Sequence, residues 1–212
     1  MQSARPCAHA PLLALLLATL AAPLPAQECP DLYEQARKTR ETAISETAVA
    51  RCGALAERGD AAGHYHLGML KIGAIGTPGD AEGGLALVRR AAENGYAPAQ
   101  SRLGRMHLRG DIVENDPALA AQWFERAARA GDPLAQYELG QLRYKGQGVE
   151  ADIYEAYKWF SAAAENFARR GHVPRQKLAE RKRETVAAEL PAEERARAEG
   201  WIASEPGILQ GG

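Results

Sequence analysis

Apolar and polar positions along the chain recur with a period of 36 residues. Three segments, 60–95, 96–131 and 132–167, align without a gap. Chance does not readily place so many matching residues at one period, so we predict three structural repeats. The matching positions are Leu67-Gly68, Leu103-Gly104 and Leu139-Gly140, the aspartates Asp80, Asp116 and Asp152, and the pairs Ala91-Ala92, Ala127-Ala128 and Ala163-Ala164.

Each repeat is predicted to contain two helices. In the second repeat, apolar residues follow Pro98 at helical spacing as far as Leu108, and Gly110 ends the helix. Asp116 then caps the next helix, and Pro117 occupies its first turn, where a proline is tolerated. The pattern therefore predicts an all-α protein with short turns between its helices.

Two groups of residues recur inside the predicted helices. Glycine inside a helix costs roughly 1 kcal/mol relative to alanine, so its recurrence needs a reason. We predict that these glycines let the first helix of each repeat pack closely on its partner, and that the recurrent aromatic residues lie in the core. The glycines are Gly68, Gly104 and Gly140, and the aromatic residues are Trp123, Phe124, Trp159 and Phe160.

The segments on either side of the repeats are predicted to close the stack. Residues 27–59 fit an N-terminal capping helix pair, and 168–204 fit charged C-terminal capping helices. Trp201 and Ile202 are expected to fold back onto the last repeat. Residues 205–212 are predicted to be a flexible tail.

The first 26 residues are typical of a secretory signal peptide. Arg5 precedes an apolar run from Leu12 to Ala22, and small residues precede a cleavage site at Gln27. The run is short for a membrane span, and an uncleaved anchor is the alternative. We therefore expect a bacterial periplasmic or secreted protein without stable membrane insertion after cleavage.

Two cysteines remain after the predicted signal peptide. Cys29 and Cys52 are 23 residues apart, a separation that a helix hairpin can close. An exported protein reaches an oxidising compartment, so a disulfide is predicted, with two buried free thiols as the alternative.

Composition and candidate chemistry argue against several functional classes. The formal net charge is -1, and nucleic-acid-binding proteins usually carry a basic excess, so no nucleic acid is expected. His64 and His66 are two residues apart on a predicted helix and point in different directions, which makes them a poor metal pair. No combination of residues suggests catalysis, and we predict no cofactor and no metal site.

The pattern is clearest in the third repeat, and its spacing resembles the Sel-1-like repeat, a relative of the tetratricopeptide repeat. The second repeat keeps most of it, with Ile112 where the third has Gly148, and the first is degenerate. The resemblance implies a right-handed α-solenoid of stacked antiparallel helix pairs. The residues that carry it are Ala135, Leu139, Gly140, Gly146, Gly148, Val149, Asp152, Ala156, Trp159, Phe160, Ala163 and Ala164.

The same resemblance implies a protein-binding adaptor or scaffold, not an enzyme, whose first helices line a concave groove. We expect a monomer that binds a protein or peptide. The alternatives are a secreted hydrolase of the cysteine-rich repeat type, although residues 60–167 contain no cysteine, and a self-associating envelope protein. The predicted groove residues, taken as non-core positions, are His64, His66, Lys71, Gln100, Arg102, Arg105, Gln136, Glu138, Gln141, Arg143 and Tyr144.

Overall fold

The computed structural model describes residues 28–209, which form ten α-helices, one short 3-10 helix and no strand. The predicted signal peptide lies outside the described residues. The helices are α1 (Glu28–Thr39), α2 (Thr42–Glu57), α3 (Ala61–Ile72), α4 (Ala81–Glu93), α5 (Ala97–Arg109), α6 (Pro117–Arg129), α7 (Pro133–Lys145), α8 (Ile153–Arg169), α9 (Val173–Ala187) and α10 (Ala192–Ser204), followed by the 3-10 helix Pro206–Leu209.

Aspartate side chains set the start of five helices. The Asp116 carboxylate accepts a hydrogen bond from the Leu119 amide at 2.9 Å, and Asp132 accepts one from Ala135 at 2.7 Å. Asp60, Asp80 and Asp152 make the same contact three residues ahead. Each satisfies an amide that the helix leaves without a partner, which is worth about 1 kcal/mol.

The helices pack as consecutive antiparallel pairs, and the pairs stack in chain order. Helices two apart in the chain also touch, and among the first seven helices α1 contacts α3 and α5 contacts α7. The odd-numbered helices of the repeats therefore lie on the inner side of the stack and α2, α4 and α6 on the outer side. The predicted all-α solenoid is confirmed.

Close packing within each repeat depends on the recurrent helical glycines, as predicted. A Cβ atom on Gly104 would lie 2.7 Å from the Phe124 ring, and one on Gly68 would lie 2.6 Å from the Gly84 carbonyl oxygen. Phe124 and Phe160 are fully buried against these helices. A larger side chain would push the two helices of a repeat apart.

The N-terminal helix pair is joined by the predicted disulfide. Cys29 and Cys52 are bonded, with Cα atoms 5.2 Å apart, and both side chains are fully buried. The bond connects the start of α1 to the second half of α2, so the prediction of a disulfide is confirmed.

The C-terminal helices differ from a further repeat, since α9 and α10 both pack on α8. The indole rings of Trp201 and Trp159 meet edge to face with centroids 5.4 Å apart, as expected for a segment that folds back onto the last repeat.

The prediction of a flexible tail is wrong for residues 206–209. Ile208 is buried, and its carbonyl oxygen accepts hydrogen bonds from Gln136 Nε2 at 2.9 Å and Asn166 Nδ2 at 2.6 Å. These buried amides need an acceptor, and the segment is held because it supplies one. Residues 210–212 lie outside the described part of the chain.

No helix between residues 28 and 209 combines the length and the apolar character that crossing a membrane requires.

Candidate functional site

The helices of the inner side carry a concentrated positive charge. Together α3, α5 and α7 contain six basic residues and one carboxylate, although the whole chain has a net charge of -1. The basic residues are Lys71, Arg102, Arg105, Arg109, Arg143 and Lys145, and the carboxylate is Glu138.

The centre of this surface is formed by three arginines of α5. Arg102, Arg105 and Arg109 are three and four residues apart and share one helix face. Burial lowers the pKa of the Arg105 guanidinium, and the charges of Arg109, Arg102 and Arg175 lower it further, while Glu138 opposes them. Arginines of α5 and α9 therefore act on one another across the inner side.

Glu138 lies beside these arginines on α7. Burial raises the pKa of its carboxyl group, and Arg105 and Arg109 oppose that shift. Gln141 Nε2 donates a hydrogen bond of 3.3 Å to the Glu138 carboxylate. No ion pair joins Glu138 to α5 within residues 28–209, so its charge is felt there only at longer range.

An aromatic cluster lies at the N-terminal end of the inner side. The His66 ring centroid is 5.0 Å from that of Tyr33, 4.9 Å from Tyr65 and 6.4 Å from Tyr96. Burial lowers the pKa of His66 to about 4, so its imidazole is neutral at pH 7. Burial raises the pKa of Tyr65, and the charge of Arg102 opposes that shift, which places α5 next to the cluster.

Four predicted groove residues are buried, so describing them as non-core positions is wrong. Gln100 Nε2 donates to the Ala92 carbonyl at 3.0 Å, and Gln136 Nε2 donates to Ala128 at 3.0 Å. These carbonyls belong to the last turns of α4 and α6, where they also accept the Gly95 and Gly131 amides. His64, Gln100 and Gln136 share one repeat phase, and His66 packs among the tyrosines, so all four have structural roles.

Three other predicted residues lie at the edge of the inner side. Lys71 Nζ donates to Asp80 Oδ2 at 3.1 Å in the loop that follows α3. Arg143 has the repeat phase of Lys71, and its carbonyl accepts the Asp152 amide at 2.8 Å from the corresponding loop. The Tyr144 hydroxyl donates to Glu189 at 2.8 Å, towards the C-terminal cap.

Of the predicted residues, Arg102, Arg105, Glu138 and Gln141 are brought together on the inner side. Sequence reasoning missed Tyr65, Arg109 and Arg175. Arg109 could have been found, since it follows Arg105 by one helical turn. Arg175 lies beyond the repeats, where no phase predicts its position.

Residues with catalytic or metal-binding potential have other contacts. The Ser161 hydroxyl donates to the Tyr157 carbonyl and that of Ser204 to Trp201, both at 2.8 Å. Among residues 28–209, no group of three or more His, Cys, Asp or Glu side chains could hold a metal ion.

Comparison with known proteins identifies relatives of the repeats. The Sel1 repeat family matches residues 61–96, 97–132 and 133–166. A crystal structure described as a protective antigen of uropathogenic Escherichia coli strains with an SLR fold is similar over 85% of this chain, with 27% identity and a TM-score of 0.66. This chain spans 39% of that protein's length.

A Sel1 repeat protein from Oxalobacter formigenes is similar over 71% of this chain and 96% of its own, with 29% identity and a TM-score of 0.50. No curated protein matches the chain significantly. Folds of this kind generally mediate protein–protein interaction and typically act as non-enzymatic scaffolds. Three matched repeats that cover half of the sequence show that the chain belongs to the Sel1 repeat family.

Proposed function

We propose that this protein is a non-enzymatic, monomeric adaptor of the bacterial periplasm or cell exterior, and that it binds a partner protein on the inner side of its helix stack. One observation carries the proposal. Arg102, Arg105 and Arg109 form a row on α5 and make no ion pair within the described residues, next to the half-buried Tyr65.

Arginine and tyrosine are the residue types that most often dominate the energy of protein interfaces. They combine apolar contact area with directional hydrogen bonds. On this surface, packing between stacked helices holds them in place, so a partner does not need to order the backbone that carries them.

The location in the proposal rests on two features. The disulfide between buried Cys29 and Cys52 fits an oxidising compartment, where such bonds persist. The apolar run from Leu12 to Ala22 has the length of a signal peptide core.

The test is an affinity pull-down from a bacterial envelope extract, read by mass spectrometry. Three baits are compared: the wild-type protein, the variant Arg102→Ala, Arg105→Ala, Arg109→Ala, and a control with Arg58→Ala, Arg89→Ala, Arg90→Ala. The control removes three exposed arginines from outer helices or their ends. Circular dichroism establishes that each bait is folded.

We expect a partner that both the wild type and the control capture and that the α5 variant loses. A partner retained by all three baits would contradict the inner side as the binding surface. If no partner is captured and the mass in sedimentation rises with protein concentration, the protein is self-associating and the adaptor proposal is wrong.

A further inference from the structure

We infer that the partner segment on the inner side is acidic, a stretch of protein in which several Asp or Glu carboxylates face the arginines of α5. The inference deepens the proposed function and rests on it. Arg102 and Arg109 are separated by about 10 Å along the helix axis, from a rise of about 1.5 Å per residue. An extended chain covers that distance in about three to four residues, enough for two or three carboxylates.

Charge distribution is the first support. Helices α3 and α5 contain no Asp or Glu, and α7 contains only Glu138. The outer helices are balanced, with Glu125 beside Arg126 and Arg129 on α6, for example. Within the three repeats, the positive charge is therefore collected on the inner side, and beyond them α9 carries five basic residues and two glutamates.

The state of the charged groups is the second support. On α6 and α8, Arg129 pairs with Glu125 at 2.8 Å, Arg169 with Glu165 at 2.8 Å and Lys158 with Glu155 at 2.6 Å. The arginines of α5 have no such pair within residues 28–209.

The side chains of Arg102 and Arg105 are also half-buried, and their Nε atoms are buried without a hydrogen-bond partner among the described residues. Like charges that are partly removed from water repel one another, and an incoming carboxylate reverses that unfavourable interaction. In the free protein the guanidinium groups therefore repel one another, and an acidic segment reduces that repulsion.

Glu138 favours a protein segment over a nucleic acid. A nucleic-acid backbone presents a negative charge at every nucleotide and binds best to a continuous row of basic side chains. Glu138 interrupts the row beside Arg105 and Arg109, and repels the phosphates next to it. A protein segment can place a basic or amide side chain opposite Glu138 and its carboxylates opposite the arginines.

The experiment selects ligands without assuming a partner. Random 12-residue peptides displayed on phage are panned against the purified protein, and enriched peptides are synthesised with a fluorescent label. Binding is measured by anisotropy at two salt concentrations, for each peptide and for its counterpart with Asp→Asn and Glu→Gln. A fluorescent single-stranded DNA serves as the competing polyanion.

We expect enrichment of Asp and Glu, a loss of affinity of at least tenfold in the amide counterparts, and weaker binding at higher salt. The variant Arg102→Glu, Arg105→Glu, Arg109→Glu should lose the peptides. The outer variant Arg58→Glu, Arg89→Glu, Arg90→Glu should keep them. The variant with lysine at 102, 105 and 109 separates a charge effect from misfolding, and it should retain most of the affinity.

Selected peptides without acidic enrichment that are lost by the α5 variant would overturn the acidic inference and leave the proposed binding surface standing. Peptides that bind all variants equally would contradict both the acidic inference and the proposed binding surface. Tighter binding of the DNA than of any acidic peptide, or no enrichment at all, would overturn the acidic inference alone, because the pull-down tests the adaptor independently.

Discussion

The two ends of the helix stack are closed in different ways. At the N-terminal end, a disulfide joins α1 to α2, and a neutral histidine packs among three tyrosine rings. At the C-terminal end, α9 and α10 lie on α8, and buried amides hold the 3-10 helix through the Ile208 carbonyl.

A stack of repeats exposes an unpartnered apolar face at each end, and both solutions cover it. The N-terminal solution is covalent and depends on redox conditions and pH, whereas the C-terminal solution depends on packing and hydrogen bonds. Four measurements separate them.

The largest effect is expected for Trp159→Ala. Trp159 is 2% exposed under Trp201, so its removal leaves a large cavity and should lower the free energy of unfolding by about 3–5 kcal/mol. Trp123 has the same repeat phase but is only half-buried, with Arg126 over its ring at 4.8 Å. Trp123→Ala should lower the free energy of unfolding, measured in urea, by clearly less. Equal losses for the two variants would contradict the stabilising role of the C-terminal helices at Trp159.

Breaking the disulfide should have the next largest effect. The bond closes a loop of 23 residues, and loop-closure entropy predicts a loss of about 3 kcal/mol for Cys29→Ala, Cys52→Ala. A reductant should lower the free energy of unfolding of the wild-type protein in urea by a similar amount. It should leave that of the double variant unchanged. A lower free energy of unfolding of the double variant in reductant would show that the reductant acts on something other than this bond.

Acid should weaken the N-terminal end through His66. Burial lowers its folded-state pKa from 6.5 to about 4. Between these pH values His66 is protonated in the unfolded chain and neutral in the folded one. The stability from neutral His66 is complete above pH 6.5 and is lost as the pH falls towards 4, by up to about 3 kcal/mol. Urea unfolding between pH 7 and pH 4 should show a smaller decline for His66→Phe than for the wild type, and parallel declines would contradict this assignment.

The smallest effect is expected for Asn166→Ala at the C-terminal end. Asn166 Nδ2 donates to the Gln136 side-chain oxygen at 2.9 Å and to the Ile208 carbonyl. Its loss leaves buried acceptors short of a donor, which costs about 1–2 kcal/mol. Amide exchange near Ile208 should accelerate more than at the N-terminal pair, and an unchanged rate there would show that Asn166 does not hold the segment. The same repeat phase carries an exposed alanine, Ala130, where no such segment lies.

Much of the fold could be predicted because its signals are local. Asp116 caps a helix three residues away, and Gly104 marks a close approach inside one repeat. The docked Ile208 gave no such signal, since its partner Gln136 is 72 residues earlier in the chain. One apolar residue in a short tail has no periodicity to reveal its burial.

The candidate site was predicted less well for a related reason. The family resemblance predicted Arg102 and Arg105 for the groove, but it does not distinguish a free side chain from one that a neighbouring repeat uses. Gln100 and Gln136 are polar and lie on first helices, yet each is buried and donates to a carbonyl of the preceding helix. Their burial follows from the stacking of repeats, which a single repeat's sequence does not contain.

The hydrogen bond from Gln136 to Ile208 also sets an order of events during synthesis. Nearly every other contact joins helices that are neighbours in sequence, so each pair can assemble as soon as it leaves the ribosome. Gln136 and Asn166 obtain their acceptor only after residue 208 has been added and has folded back. The C-terminal closure therefore forms only after all three repeats have been made, because the acceptor lies 72 residues beyond Gln136.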